Sequence, residues 1–155
     1  MIHNISEWKE YLGSGLGEKN LGQSYQNIKI DGTVDFSVVS NASLENYLNV
    51  KAAKVQATAG STLTGLRYKA SRAGEAVFAD ISGDLKGLAF EDMNLDVSDY
   101  GGSSIGLVGH LQGNGSELSF KEITIKGGAA TEGGCIGTVE GTRTDISLHH
   151  INITA

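Results

Sequence analysis

The 155-residue chain contains no proline at all. A stack of β-strands in which each inner residue donates an N–H to a neighbour is compatible with that absence, whereas a Pro-rich spacer is excluded by it. Cysteine is nearly as scarce: Cys135 is the single one, so no disulfide can form within the chain. Set in Gly133-Gly134-Cys135-Ile136-Gly137 without a basic neighbour, its thiol reads as a small core group rather than an activated nucleophile. Basic residues are outnumbered, 12 Lys and Arg against 18 Asp and Glu, and they form no cluster. Nucleic acid is therefore not an expected partner. No apolar run approaches the roughly 18 residues that a membrane span requires, so no membrane insertion is expected. The opening Met1-Ile2-His3-Asn4-Ile5-Ser6-Glu7-Trp8 has neither the basic nor the apolar region of a signal peptide. Also missing are a Gly-x-Ser-x-Gly elbow, a Gly-Lys-Ser/Thr phosphate loop and regular Thr-x-Thr ladders.

What the chain does have is 22 glycines, 39% apolar residues and a repeat. Leu88-Ala89-Phe90-Glu91-Asp92-Met93-Asn94-Leu95 is echoed by Leu118-Ser119-Phe120-Lys121-Glu122-Ile123-Thr124-Ile125 and by Ile146-Ser147-Leu148-His149-His150-Ile151-Asn152-Ile153. Apolar residues hold positions one, three, six and eight of each copy. Alternation of this kind is a strand facing a core, and the central polar pair marks a corner between two strands. A further strand precedes each copy, in Val77-Phe78-Ala79-Asp80-Ile81, in Ile105-Gly106-Leu107-Val108-Gly109 and in Ile136-Gly137-Thr138-Val139. Copies starting at 88, 118 and 146 cannot bury their apolar faces alone and must stack. The expected fold is all-β: a right-handed parallel β-helix, that is, a three-sheet β-solenoid of about five rungs, with a short N-terminal capping helix.

That helix follows from Asn4 as N-cap, Glu7 at the third helical position and Ile5, Trp8 and Leu12 on one face, with Gly13-Ser14-Gly15 as the stop. Residues 1–24 thus read as a cap and loop, with Trp8 as a lid over the end of the core. Residues 25–76 read as about two degenerate rungs, beginning at Tyr25 and carried by Ile28, Ile30, Val34, Phe36, Leu44, Leu48, Val50, Val55, Leu63, Leu66 and Tyr68. Lys69 to Glu75 is expected to be a surface loop. Residues 77–155 form three regular rungs, the whole being one domain and a fragment of a larger protein.

The Trp-containing helix, Val34-Asp35-Phe36-Ser37, the Ile-Gly-x-Val segments and the closing Ile-x-Leu-x-x-Ile-x-Ile rung resemble β-helical repeat regions of Gram-positive surface proteins. The GLUG-motif repeats and the non-catalytic N-terminal region of immunoglobulin A protease-type zinc metallopeptidases are the families that the resemblance names. It implies a cell-surface or secreted location and a scaffold role, since the His-Glu-x-x-His helix of those metallopeptidases has no counterpart here.

Among chemical groups, the adjacent His149 and His150 do not suit chelation of one ion, and His3 and His110 have no evident ligand partners in the sequence. Carboxylates crowd one stretch, and Asp80, Asp84, Asp92 and Asp96 are the candidate Ca²⁺ ligands if stacking brings them together. Against that, Lys121-Glu122 and His149-His150 stack where Glu91-Asp92 stands, which suggests a charge-balanced corner. No catalytic residue and no cofactor is assigned. The expected function is a non-catalytic structural or interaction module, a rigid spacer or a scaffold for a protein or glycan, joined to neighbouring domains of its parent. No cap follows the last apolar strand, so the expectation is either that the parent protein continues with further rungs or a cap, or that the chain self-associates through the C-terminal rung. The alternatives are a parallel β-helix carbohydrate-active enzyme and a phage or toxin fibre segment.

Overall fold

The computed structural model describes residues 1–12, 26–70, 75–99, 102–127, 130–133 and 135–154. The expected stop at Gly13-Ser14-Gly15, Tyr25 and the centre of the 69–75 loop lie outside them. The strands are parallel throughout and wind into a β-solenoid of about four turns. Helix α1 (Ile5–Leu12) is followed by an incomplete first rung, β1 (Gln26–Ile30) and β2 (Thr33–Asp35). The second rung is β3 (Val50–Ala57), β4 (Thr62–Thr64) and β5 (Arg67–Lys69). The third is β6 (Phe78–Ile81), β7 (Leu85–Lys86) and β8 (Ala89–Asp96), and the fourth β9 (Gly102–Ile105), β10 (Val108–Leu111) and β11 (Gly115–Lys126). The last is β12 (Ala130–Gly133), β13 (Ile136–Val139) and β14 (Arg143–Thr154).

Each strand pairs with the same segment one rung away, and the side chains superpose in columns. Val34, Leu63, Phe90, Phe120 and Leu148 are register partners in succession. The rings of Phe90 and Phe120 lie 4.9 Å apart and almost coplanar in tilt, at 4°. Tyr68, Leu95, Ile125 and Ile153 make a second column on the next face. Between these faces the chain turns at Asp92, Glu122 and His150, all in the left-handed region with φ of 51°, 55° and 54°. A single left-handed residue reverses the inward and outward alternation, so positions three and six of the repeat both point inward. This is the corner that the polar dipeptide marks in the sequence.

Three features depart from the expectation. The first rung is incomplete, because the chain after β2 enters a 3-10 turn, Phe36–Val38, and a short helix α2, Asn41–Leu44, in place of strands. α2 covers the edge of β5, where Lys69 N–H donates to Asn41 Oδ1. The second departure is a fourth short ladder, in which Val55, Leu85 and Gly115 align ahead of the eight-residue pattern. Finally, Val108 stacks on Ile136 rather than on Val139, so the repeated Ile-Gly-x-Val is offset by three residues. Stacking imposes one spacing on a whole rung, and the 28 residues from Phe120 to Leu148 also separate Val108 from Ile136.

The cap forms as expected. Glu7 N–H donates to Asn4 Oδ1 at 3.0 Å, and Trp8 is fully buried with its Nε1–H donating to the Tyr47 carbonyl at 2.8 Å. Close stacking also selects glycine at one corner: a Cβ on Gly113 would overlap the Gly83 carbonyl. Another corner carries non-glycine residues, Glu117 and Asp145, at φ of 52° and 54°. Left-handed backbone costs an L-residue about 1–2 kcal/mol, against about 0.5–1 kcal/mol for the extra freedom that glycine loses on folding. Glu117→Gly should therefore raise stability by about 0.5–1 kcal/mol, read as a shift in the urea midpoint at constant slope; a fall would mean that Glu117 makes a compensating contact.

Candidate functional site

The corner at Asp92, Glu122 and His150 borders a shallow groove of about 310 Å³. Arg67, Asn94 and Thr124 also line it. The outward alternation of β5 and of the second halves of β8, β11 and β14 generates it, because Arg67, Asn94, Thr124 and Asn152 are successive register partners. At the strand spacing of about 4.8 Å, this is a column of guanidinium, amide, hydroxyl and amide groups. Arg67 anchors its end: Nη2 donates to Asp92 Oδ1 at 2.5 Å, and Nη1 donates to the Leu66 and Asp92 carbonyls at 2.8 Å each. Glu122 Oε1 is 3.9 Å from His150 Nδ1. His149 stacks in register over Lys121, which stacks over Glu91. The rings of His149 and His150 lie side by side with centroids 4.0 Å apart, since the left-handed turn at His150 brings consecutive side chains to the same outer corner.

A second polar ladder crosses the β3, β6, β10 and β13 face, where Lys51, Asp80, His110 and Thr138 are register partners. His110 Nδ1 is 3.3 Å from Asp80 Oδ1, and its Nε2 is 3.1 Å from Glu140 Oε2. Gln112 Nε2–H₂ donates to both Asp80 oxygens at 3.1 Å. His3 is flanked in the same way, by Glu7 at 2.7 Å and Asp31 at 3.8 Å. The expectation that His3 and His110 lack acidic neighbours is thus corrected. The partners of His110 lie 30 residues on either side, a distance that only the stacking closes.

The four candidate Ca²⁺ ligands do not converge. Asp80 serves His110 and Gln112, whereas Asp84 Oδ1 accepts the Asn114 N–H at 2.8 Å. Asp92 is held by Arg67. Asp96 accepts from the hydroxyl and N–H of Ser98 at 2.5 and 2.9 Å, and these two bonds hold its carboxyl below the usual range. Among the described residues, no group of three or more His, Cys, Asp or Glu is placed to hold a metal ion. Millimolar Ca²⁺ should accordingly leave the melting temperature unmoved. An EDTA-reversible rise, equivalent to about 2.7 kcal/mol at a hundredfold excess over the dissociation constant, would contradict this.

Cys135 is buried, and burial pushes its thiol up to about 11, so it stays protonated as a core group. Glu75, by contrast, is buried, although the sequence places it in a surface loop. No described helix is long and apolar enough to cross a membrane. Comparison with protein families, with characterised proteins and with solved structures finds no match for the chain.

Proposed function

We propose that the protein is a non-catalytic interaction module of a bacterial surface or secreted protein: a rigid solenoid that presents its polar corner groove to an extended partner. The observation that carries the reading is the in-register column Arg67, Asn94, Thr124 and Asn152 beside Asp92, Glu122 and His150. Open, shallow grooves lined by amides, hydroxyls and paired charges offer donors and acceptors at a fixed repeat, which suits a chain of sugar hydroxyls or an extended peptide. Burial of Tyr68, Leu95, Ile123 and Ile125 behind Arg67, Asn94 and Thr124 supports a stiff platform, because side chains on the inner rungs are packed between their counterparts on adjacent rungs. The surface location rests on the resemblance in sequence alone.

A glycan array followed by calorimetry on the strongest ligand tests the reading. The double variant Asn94→Ala, Thr124→Ala should weaken binding at least tenfold, with the circular dichroism spectrum unchanged. New reducing ends released from the bound glycan would replace this reading by the enzymatic one. Binding that ignores the double variant would move the site off the groove.

A further inference from the structure

On two of the outward ladders an acid separates the bases. Lys69, Asp96 and Lys126 are successive register partners, as are Lys51, Asp80 and His110. The ladder through β1, β3 and β7 differs, because Lys29, Gln56 and Lys86 follow one another with an amide where the other two have a carboxylate. Far apart in the sequence, these lysines come within two strand spacings, about 10 Å, through stacking alone. The same column continues with the hydroxyls of Ser116 and Thr144.

Lys29, Gln56 and Lys86 line one pocket of about 340 Å³, which shares no residue with the corner groove. Ala57 and Thr58 complete its wall beside them, and no Asp or Glu lines it, in a chain whose acids outnumber its bases by 18 to 12. Asp31 borders the pocket only through Thr58, whose hydroxyl donates to Asp31 Oδ1 at 2.6 Å. Among the described residues, neither lysine forms an ion pair, and the Gln56 amide has no hydrogen-bond partner. Two point charges on either side of an amide suit a tetrahedral oxyanion, whose oxygens point in several directions. A planar carboxylate is better met by the fork of an arginine, and no arginine lines this pocket.

We propose that this pocket binds a phosphate or sulfate group, bridged between the Lys29 and Lys86 ammonium groups while the Gln56 side-chain N–H₂ donates to a further oxygen. Both lysines are exposed, so their charge is available to a ligand without rearrangement of the strands. The Ser116 and Thr144 hydroxyls further along the column suit an ester in which a sugar carries the oxyanion, and the free ion is the other source of the same chemistry.

Inorganic phosphate added to the isotopically labelled full chain should move the amide signals of Lys29, Gln56 and Lys86 saturably, whereas chloride at equal ionic strength should not. Sulfate should compete. Lys86→Gln should weaken the response by about tenfold, the loss of one charge-assisted contact, and Lys86→Arg should restore most of it. The double variant Asn94→Ala, Thr124→Ala should leave it unchanged, so this pocket and the corner groove can fail independently. Glucose 6-phosphate that binds more tightly than phosphate and also moves Ser116 identifies a sugar ester; equal affinity identifies the free ion. A response that does not saturate, one given equally by glucose, or one that survives Lys29→Gln, Lys86→Gln would each overturn the proposal.

Discussion

Phe120→Ala should destabilise the protein by about 3–5 kcal/mol, the range for removing a fully buried aromatic together with the cavity it leaves. Phe120 is buried between Phe90, against which its ring stacks, and Leu148 at the open end. The loss includes the ring contact itself, worth about 0.5–1.5 kcal/mol beyond area burial. Phe120→Leu keeps the apolar volume and should cost much less. Equilibrium denaturation of the three proteins measures both differences; equal costs for Ala and Leu would mean that the column is not close-packed. Leu148→Ala, at the exposed end of the same column, should change stability by far less than Phe120→Ala.

Trp8→Ala should cost a similar amount, about 3–5 kcal/mol, although Trp8 lies in a helix of only eight residues. Its ring meets Phe36 and Phe78 edge-on, at 5.2 and 5.7 Å, so the helix is held by its plug rather than by its own propensity. Trp8→Phe should recover most of the packing but leave the Tyr47 carbonyl without its donor, a further loss of about 1 kcal/mol. A cost below about 1 kcal/mol for Trp8→Ala would show that α1 does not seal the core.

The regular rungs were legible because a stacked column repeats its chemistry: Leu88, Leu118 and Ile146, or Met93, Ile123 and Ile151, can be read from spacing alone. The helix was equally legible through Asn4, Glu7 and Trp8, whose positions state the cap and the buried face. Less could be read where the constraint is geometric and not chemical. The offset between Ile105-Gly106 and Ile136-Gly137 is hidden in the sequence because small residues recur at corners for several reasons, and only the ladder fixes which ones superpose. Asn41 to Leu44 is too short for helical periodicity to appear. The groove residues Arg67, Asn94 and Thr124 carry no local signal, since each is an ordinary outward polar residue until stacking aligns it. The same holds for the carboxylates around His110. Only their recurrence at the rung spacings of 27, 30 and 28 residues marks the column in the sequence.

The uniform register also sets a clock. Every ladder contact joins residues about one rung apart, 30 between Phe90 and Phe120 and 28 between Phe120 and Leu148, so no pairing closes a loop much longer than any other. Loop-closure entropy is then nearly the same for each rung added, and order can spread from whichever neighbouring pair docks first. Separations of this size belong to slowly folding β proteins, yet lengthening such a chain by more rungs would not lengthen the closures. Opening of this chain should run the same path backwards from β14, where Leu148 is 61% exposed. Amide exchange would then show β14 releasing its protons first, β11 next, and the rungs beneath Trp8 last.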